Sequence, residues 1–269
     1  MPSDAENYFT ALKYQMIFYL RSRRFIGLLL FSIVVSVAIS ILVVHYEYAS
    51  LKVELPANFM ESFLAGLVIT LSALVASFFG GDLASVDTGT EAGFFTLVQP
   101  IKRSVLFLGR YTAALISSFL VLLVYYLSGI FTSLYLYSAI PAQAGTSIIL
   151  LFLFLMALLA FSSFFSSIFK SPLVGIIISI IFLILVFQIL QGVIGSFGGI
   201  EPWFLVTFAG EIVYLVFISY STKSVTTFHH ITTYTFNPPY YQAIIVMFAY
   251  LLIFLFISLY IFTRREIKG

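Results

Sequence analysis

The chain contains no cysteine and only three histidines in 269 residues. Without cysteine there is no disulfide framework, no thiolate nucleophile and no sulfur-ligated metal site. Charge is also scarce: 13 basic and 11 acidic residues make up 9% of the chain and leave a net charge of +2. So small an excess gives no electrostatic footprint for nucleic acid. Catalytic signatures are missing as well. There is no pair of histidines around a glutamate, no nucleophile elbow and no phosphate-binding loop. Gly192, Gly195, Gly198 and Gly199 form a glycine-rich run, but it follows a long apolar stretch rather than a strand. His229 and His230 are adjacent, so their side chains diverge on any regular element. Metal sites generally need three or four ligands, and no metal is expected here.

What fills the chain instead is apolar. Hydrophobic residues account for 61% and the mean hydropathy is +1.11, against about 45–50% apolar residues in a soluble domain. Stretches of about 20 apolar residues are long enough to cross a bilayer as helices. Six occur, at residues 25–44, 59–79, 111–136, 147–169, 173–194 and 241–262. A seventh stretch, 203–220, is interrupted in its middle by Gly210-Glu211.

The placement of charge decides between six spans and seven. With six spans and a cytoplasmic start, Lys13, Arg21, Arg23, Arg24, Lys102, Arg103, Arg110, Lys170, Arg264, Arg265 and Lys268 lie inside, and only Lys52 and Lys223 of the 13 basic residues lie outside. That is the asymmetry the positive-inside rule requires. Seven spans would put the basic C-terminal tail outside. The expected fold is therefore an all-α integral membrane protein, a single transmembrane domain over 1–269 with both termini cytoplasmic. Residues 195–240 are expected to form an extracellular re-entrant helical segment before the last span.

Residues 1–24 predict a helix lying in the membrane interface. Ser3 and Glu6 have capping-box spacing, and Tyr8, Phe9, Leu12, Met16, Tyr19 and Leu20 recur at helical spacing. The basic Arg21, Arg23 and Arg24 follow this helix, and no short apolar run with a small-residue cleavage site precedes the first span, which argues against a secretory signal. Within the spans no ionisable residue sits centrally; Glu61 and Arg110 lie near ends. Ser32, Ser36 and Ser40 form a small-residue stripe suited to close helix packing within the chain. Gln188 and Gln191 share a face of the fifth span, where they either bond a neighbouring helix or touch a transported molecule. Trp203 and Glu211 join them as candidate pathway or gate residues.

The polar residues concentrate in "GGDLASVDTGTEAGFFTLVQPIKRS", residues 80–104. Gly80-Gly81 can end the second span. Asp82 can cap a short helix after it, and Pro100 suits the start of the next. Phe94, Phe95, Leu97 and Val98 make the segment apolar, and an exposed apolar patch implies a partner.

The longer stretch "GGDLASVDTGTEAGFFTLVQPIKRSVLFLGRYTAAL" resembles the cytoplasmic segment of type-2 ABC transporter permeases, in their archaeal-type branch. The matching residues are Asp82, Glu91, Gly93, Phe95, Leu97, Pro100-Ile101, Arg103, Gly109 and Arg110. Residues 87–92 contain no arginine, so the glutamate–arginine pair usual at that point is absent. The resemblance implies a permease subunit of an ATP-driven exporter in the plasma membrane. It would form a homodimer, or a heterodimer with a second permease, around the pathway. Two separate ATP-binding subunits, carrying ATP and Mg, would dock on a coupling helix within residues 80–104. The coupling residues would be Asp82, Asp87, Glu91, Gly93, Phe94, Phe95, Leu97, Pro100 and Arg103. The chain itself would hydrolyse no ATP. Two other classes stay open on the residues alone: a secondary transporter or channel, and a non-transporting membrane assembly factor.

Overall fold

The computed structural model describes residues 3–46, 55–85, 101–228 and 231–264. Helix α1 (Asp4–Leu20) begins at the predicted capping box: Ser3 Oγ accepts from the Glu6 amide at 3.2 Å, and Glu6 Oε2 accepts from the Ser3 amide at 2.8 Å. One face of α1, with Tyr8, Leu12, Met16 and the buried Tyr19, packs inward; Phe9, Tyr14 and Phe18 remain exposed.

Helix α2 (Arg23–Tyr46) is apolar on nearly every side, with Leu30, Val34, Val37 and Ile41 exposed. A helix that is hydrophobic all round belongs in a core or in lipid. Its serine stripe faces the protein, as expected. Ser32 Oγ donates to the Val121 carbonyl at 3.1 Å, and Ser40 Oγ accepts from Thr132 Oγ1 at 2.8 Å.

Helices α3 (Pro56–Ala65) and α4 (Val68–Gly80) form a pair bent by 45°. Close to the break, Tyr125 donates its hydroxyl to the Phe63 carbonyl at 2.6 Å. Helix α5 (Arg103–Tyr137) runs 35 residues without interruption and stops at Ser138, whose left-handed backbone (φ 54°) turns the chain. Helix α6 (Ala144–Ile168) is the centre of the bundle: 61% of its most apolar window is buried, against 17% in α2. It packs on α4, α5, α7 (Pro172–Ser196) and α10 (Tyr240–Arg264). Helix α7 is widened by two π-helical stretches, Ile181–Val186 and Gln191–Phe197.

The chain is thus a largely helical membrane protein, with five helices long and apolar enough to cross a bilayer, or six if the bent pair is one span. The six expected spans fall within α2, the α3–α4 pair, α5, α6, α7 and α10. The segment after α7 departs from expectation in two ways. Its helical part is short and broken, as α8 (Val206–Gly210) and α9 (Ile212–Leu215). It then forms an antiparallel hairpin of β1 (Lys223–Phe228) and β2 (Ile231–Phe236), with Lys223 opposite Phe236 and Val225 opposite Tyr234. The helical reading omitted this hairpin. Its threonine-rich strands, "KSVTTF" and "ITTYTF", have the β-branched and aromatic content that favours pairing.

Candidate functional site

Two groups of candidate residues sit at different places in the bundle. The first is where α1, α2, α4, α5 and α7 converge. Of the residues expected to meet a partner, Asp87, Glu91, Gly93, Phe94, Phe95, Leu97 and Pro100 lie outside the described residues. Asp82 and Arg103 are described, and they occupy different surroundings.

Asp82 is 3% exposed, and its described contact is not that of a helix cap. Oδ2 accepts from Arg24 Nη1 at 2.5 Å, joining the exit of α4 to the start of α2. Oδ1 is buried with no hydrogen-bond partner. Burial pushes the Asp82 carboxyl up to about 7, while the charge and hydrogen bond of Arg24, and more weakly the charge of Arg110, pull it down. Residues 81–85 are all buried. Ser166 Oγ of α6 accepts from the backbone amides of Ala84 (2.8 Å) and Ser85 (3.1 Å), which satisfies donors left free where α4 ends. The beginning of the polar segment is therefore anchored inside the bundle. A cavity of about 350 Å³ opens beside it, lined by Phe18, Tyr19, Arg23, Arg24, Asp82 and Pro172 among others.

Arg103 opens α5 and donates from Nη1 to the Thr263 carbonyl at 3.4 Å, tying the first turn of α5 to the end of α10. Alongside that turn lies α1. Tyr8 donates its hydroxyl to Thr112 Oγ1 at 3.0 Å, and Lys102 pairs with Asp4. Gly109 permits this approach, because a Cβ there would meet the Ala11 Cβ at 3.0 Å and the Tyr8 carbonyl at 3.2 Å.

The second group surrounds Glu211, the residue that joins α8 to α9. Together α8 and α9 cover residues 206–215, about 15 Å of helix, roughly half of a hydrocarbon core. Expected to lie on the fifth and sixth spans, they instead pack on α10 and α6 (through α8) and on α3 and α6 (through α9). Gly210 presses on the ring of Phe154, which a Cβ would meet at 2.5 Å. Phe154 lies ten residues into α6, so this contact is about 15 Å along it.

Among the described residues Glu211 has no basic partner. Its Oε1 accepts from Gln191 Nε2 at 2.6 Å. Gln191 Oε1 and Glu201 Oε1 are buried without partners. Beside Glu211 is a cavity of about 220 Å³ whose lining includes Gln191, Phe208, Tyr214, Tyr234, Phe236 and Asn237. Of the four candidate pathway residues, the structure joins Gln191 and Glu211 and leaves Gln188 and Trp203 exposed. The two glutamines were expected to share one face. The π-helical stretch that starts at Gln191 changes the helical phase there, and Gln191 turns toward α8 and α9.

Sequence reasoning missed the Arg24–Asp82 pair, although both residues lie at the same expected membrane face. It also missed Tyr214, Tyr234 and Asn237, which reach the cavity only because the hairpin folds over the end of α7. No family model and no curated protein matches the chain.

Proposed function

We propose that this chain is the membrane-embedded permease subunit of an ATP-driven exporter, working as a dimer with separate ATP-binding subunits. The observation that carries this reading is the extension of α5. Its 35 residues make a helix of about 52 Å, some 20 Å longer than a hydrocarbon core requires. The residues at its start, Arg103, Gly109 and Arg110, are those that resemble the permease segment. The α1 helix braces that end, and the Arg103 bond to α10 couples it to the last helix. A brace of this kind suits transmission of force from a docked subunit, because ATP shifts a conformational equilibrium only by favouring one arrangement of the helices.

Two measurements test the proposal. The chain purified alone should hydrolyse no ATP, and an ATP-binding subunit should co-purify with it from native membranes. In that complex Gly93→Glu, Phe94→Glu and Phe95→Glu should each lower ATPase activity at least about tenfold, since a carboxylate forced into an apolar contact costs more than 1.4 kcal/mol. Unchanged partner binding and activity in all three variants would remove the coupling assignment.

A six-span topology with a cytoplasmic N-terminus accompanies this reading. In a chain without native cysteine, Lys170→Cys should react with an impermeant thiol reagent only from the cytoplasmic side. Gln143→Cys and Thr222→Cys should react only from outside. Labelling of Thr222→Cys from the cytoplasm would make residues 203–220 a true span.

One observation favours a secondary transporter as the second reading. Broken helices carrying an ionisable residue at membrane depth are how such transporters build a site, and α8, Glu211 and α9 have that form. Substrate movement that persists without an ATP-binding subunit would decide for it.

A further inference from the structure

We propose that the cavity beside Glu211 is a binding site for a small primary alkylammonium ion. The argument is a count of donors and acceptors. The site presents one carboxylate, whose described hydrogen bond comes from the neutral Gln191 amide, and two buried acceptor oxygens without partners, Gln191 Oε1 and, beside the lining residue Pro202, Glu201 Oε1. An uncompensated carboxylate and orphan acceptors in a half-buried place are costly unless a cationic donor meets them. An ammonium group brings one positive charge and three N–H donors.

The walls select the rest of the ligand. Phe208, Tyr214, Tyr234 and Phe236 line the cavity, and aromatic faces attract alkylated cations that have shed part of their water. The protein already uses two of these rings in this way: the Lys223 ammonium lies 5.3 Å from the Tyr234 ring centre and 5.4 Å from that of Phe236. Lys223 does not come within ion-pair distance of Glu211, and the carboxylate is left for another cation. A divalent metal fits poorly, because no group of three or more His, Cys, Asp or Glu side chains converges among the described residues. The volume, about 220 Å³, is below the usual 300 Å³ of drug-sized sites, which restricts the ligand to a few carbons. The hairpin that supplies Tyr234 and Phe236 closes one wall, and its strands end beside the cavity at Asn237. This inference does not depend on which energy source drives the protein.

The test uses the full chain in detergent and ethylammonium chloride as the probe, with potassium chloride at equal ionic strength as the reference. Ethylammonium should raise the thermal unfolding midpoint in a saturable manner, as any ligand specific to the folded state does. Glu211→Gln keeps an acceptor for the Gln191 amide and should fold, yet it should weaken the apparent affinity at least about tenfold. Tyr234→Leu, at the hairpin wall, should weaken it less. A midpoint that responds equally to potassium and ethylammonium would overturn the alkylammonium assignment. An unchanged ethylammonium response in Glu211→Gln would overturn the site and leave the Gln191–Glu211 bond as a link between helices. Neither result bears on partner-dependent ATPase activity, so this inference and the permease reading fail separately.

Discussion

Arg24→Gln should destabilise the folded chain by about 3 kcal/mol, whereas Asp82→Asn should cost about 1 kcal/mol or less. The two partners of this ion pair are not equivalent. The Arg24 side chain is 49% exposed and the Asp82 side chain 4%. Without Asp82, the guanidinium can turn to water or lipid headgroups. Without Arg24, a carboxylate already missing a partner at Oδ1 stays enclosed between α2, α4 and α7. The double variant should recover most of what Arg24→Gln loses, because the penalty belongs to the abandoned charge rather than to the pair. Thermal unfolding in detergent, followed by far-ultraviolet circular dichroism, measures all three. Equal losses in the two single variants would mean that Asp82 is as well hydrated as Arg24.

The same site fixes the sign of a pH dependence. The Asp82 carboxyl titrates at about 7 in the folded chain and near 3.9 in an unfolded one. Between those values the folded state binds more protons than the unfolded state, so this group makes stability fall as pH rises from about 4 to about 7. The thermal midpoint should be higher at pH 5.5 than at pH 7.5, and Asp82→Asn should narrow that gap. In Arg24→Gln the fall should extend to higher pH, since the main influence lowering the pKa has been removed. A gap that is the same in Asp82→Asn would assign the dependence to other groups.

How much of this was legible in the sequence follows from which forces write themselves locally. Spans are recorded by length and apolarity, and every expected span coincides with a helix or with the bent α3–α4 pair. The capping box was legible because Ser3 and Glu6 are three residues apart and satisfy each other. The serine stripe of α2 was legible because spacing by four places residues on one helical face. The Arg24–Asp82 pair was not, since 58 positions separate its members and only the packing of α2 on α4 brings them together. The hairpin was obscured by a composition shared with lipid-facing segments: Val225, Phe228, Tyr234 and Phe236 raise hydropathy as readily as they favour a strand. The separation of Gln188 from Gln191 was hidden for a different reason. Both obey an α-helical spacing, and a π-helical stretch breaks that spacing without any proline or glycine at the position itself.

Gly175→Ala should be the most damaging of the small substitutions, at about 2–3 kcal/mol. In most helices the exchange would gain up to about 1 kcal/mol, since alanine is the better helix former. Here the neighbour is backbone. A Cβ at Gly175 would lie 2.4 Å from the Gly81 carbonyl oxygen, and a Cβ at Gly81 would lie 2.8 Å from both the Ile176 amide nitrogen and its Cα. Neither chain can yield by rotating a side chain, so α7 must move away from the end of α4. Apolar helices in a bilayer gain little by exchanging lipid for one another, and close backbone approach supplies much of their association. Separation at this point would also disturb the Ser166 bonds to Ala84 and Ser85 and the enclosure of Asp82, all within one turn of the contact. Gly27→Ala and Gly145→Ala provide the control, because a Cβ at either position meets nothing within 4 Å. Those two variants should unfold at or slightly above the midpoint of the unchanged chain, while Gly175→Ala should unfold several degrees below it and bind less of any co-purifying ATP-binding subunit. If Gly175→Ala matched the two controls, α4 and α7 would not be in backbone contact at Gly81, and the anchoring of residues 81–85 inside the bundle would have to be abandoned.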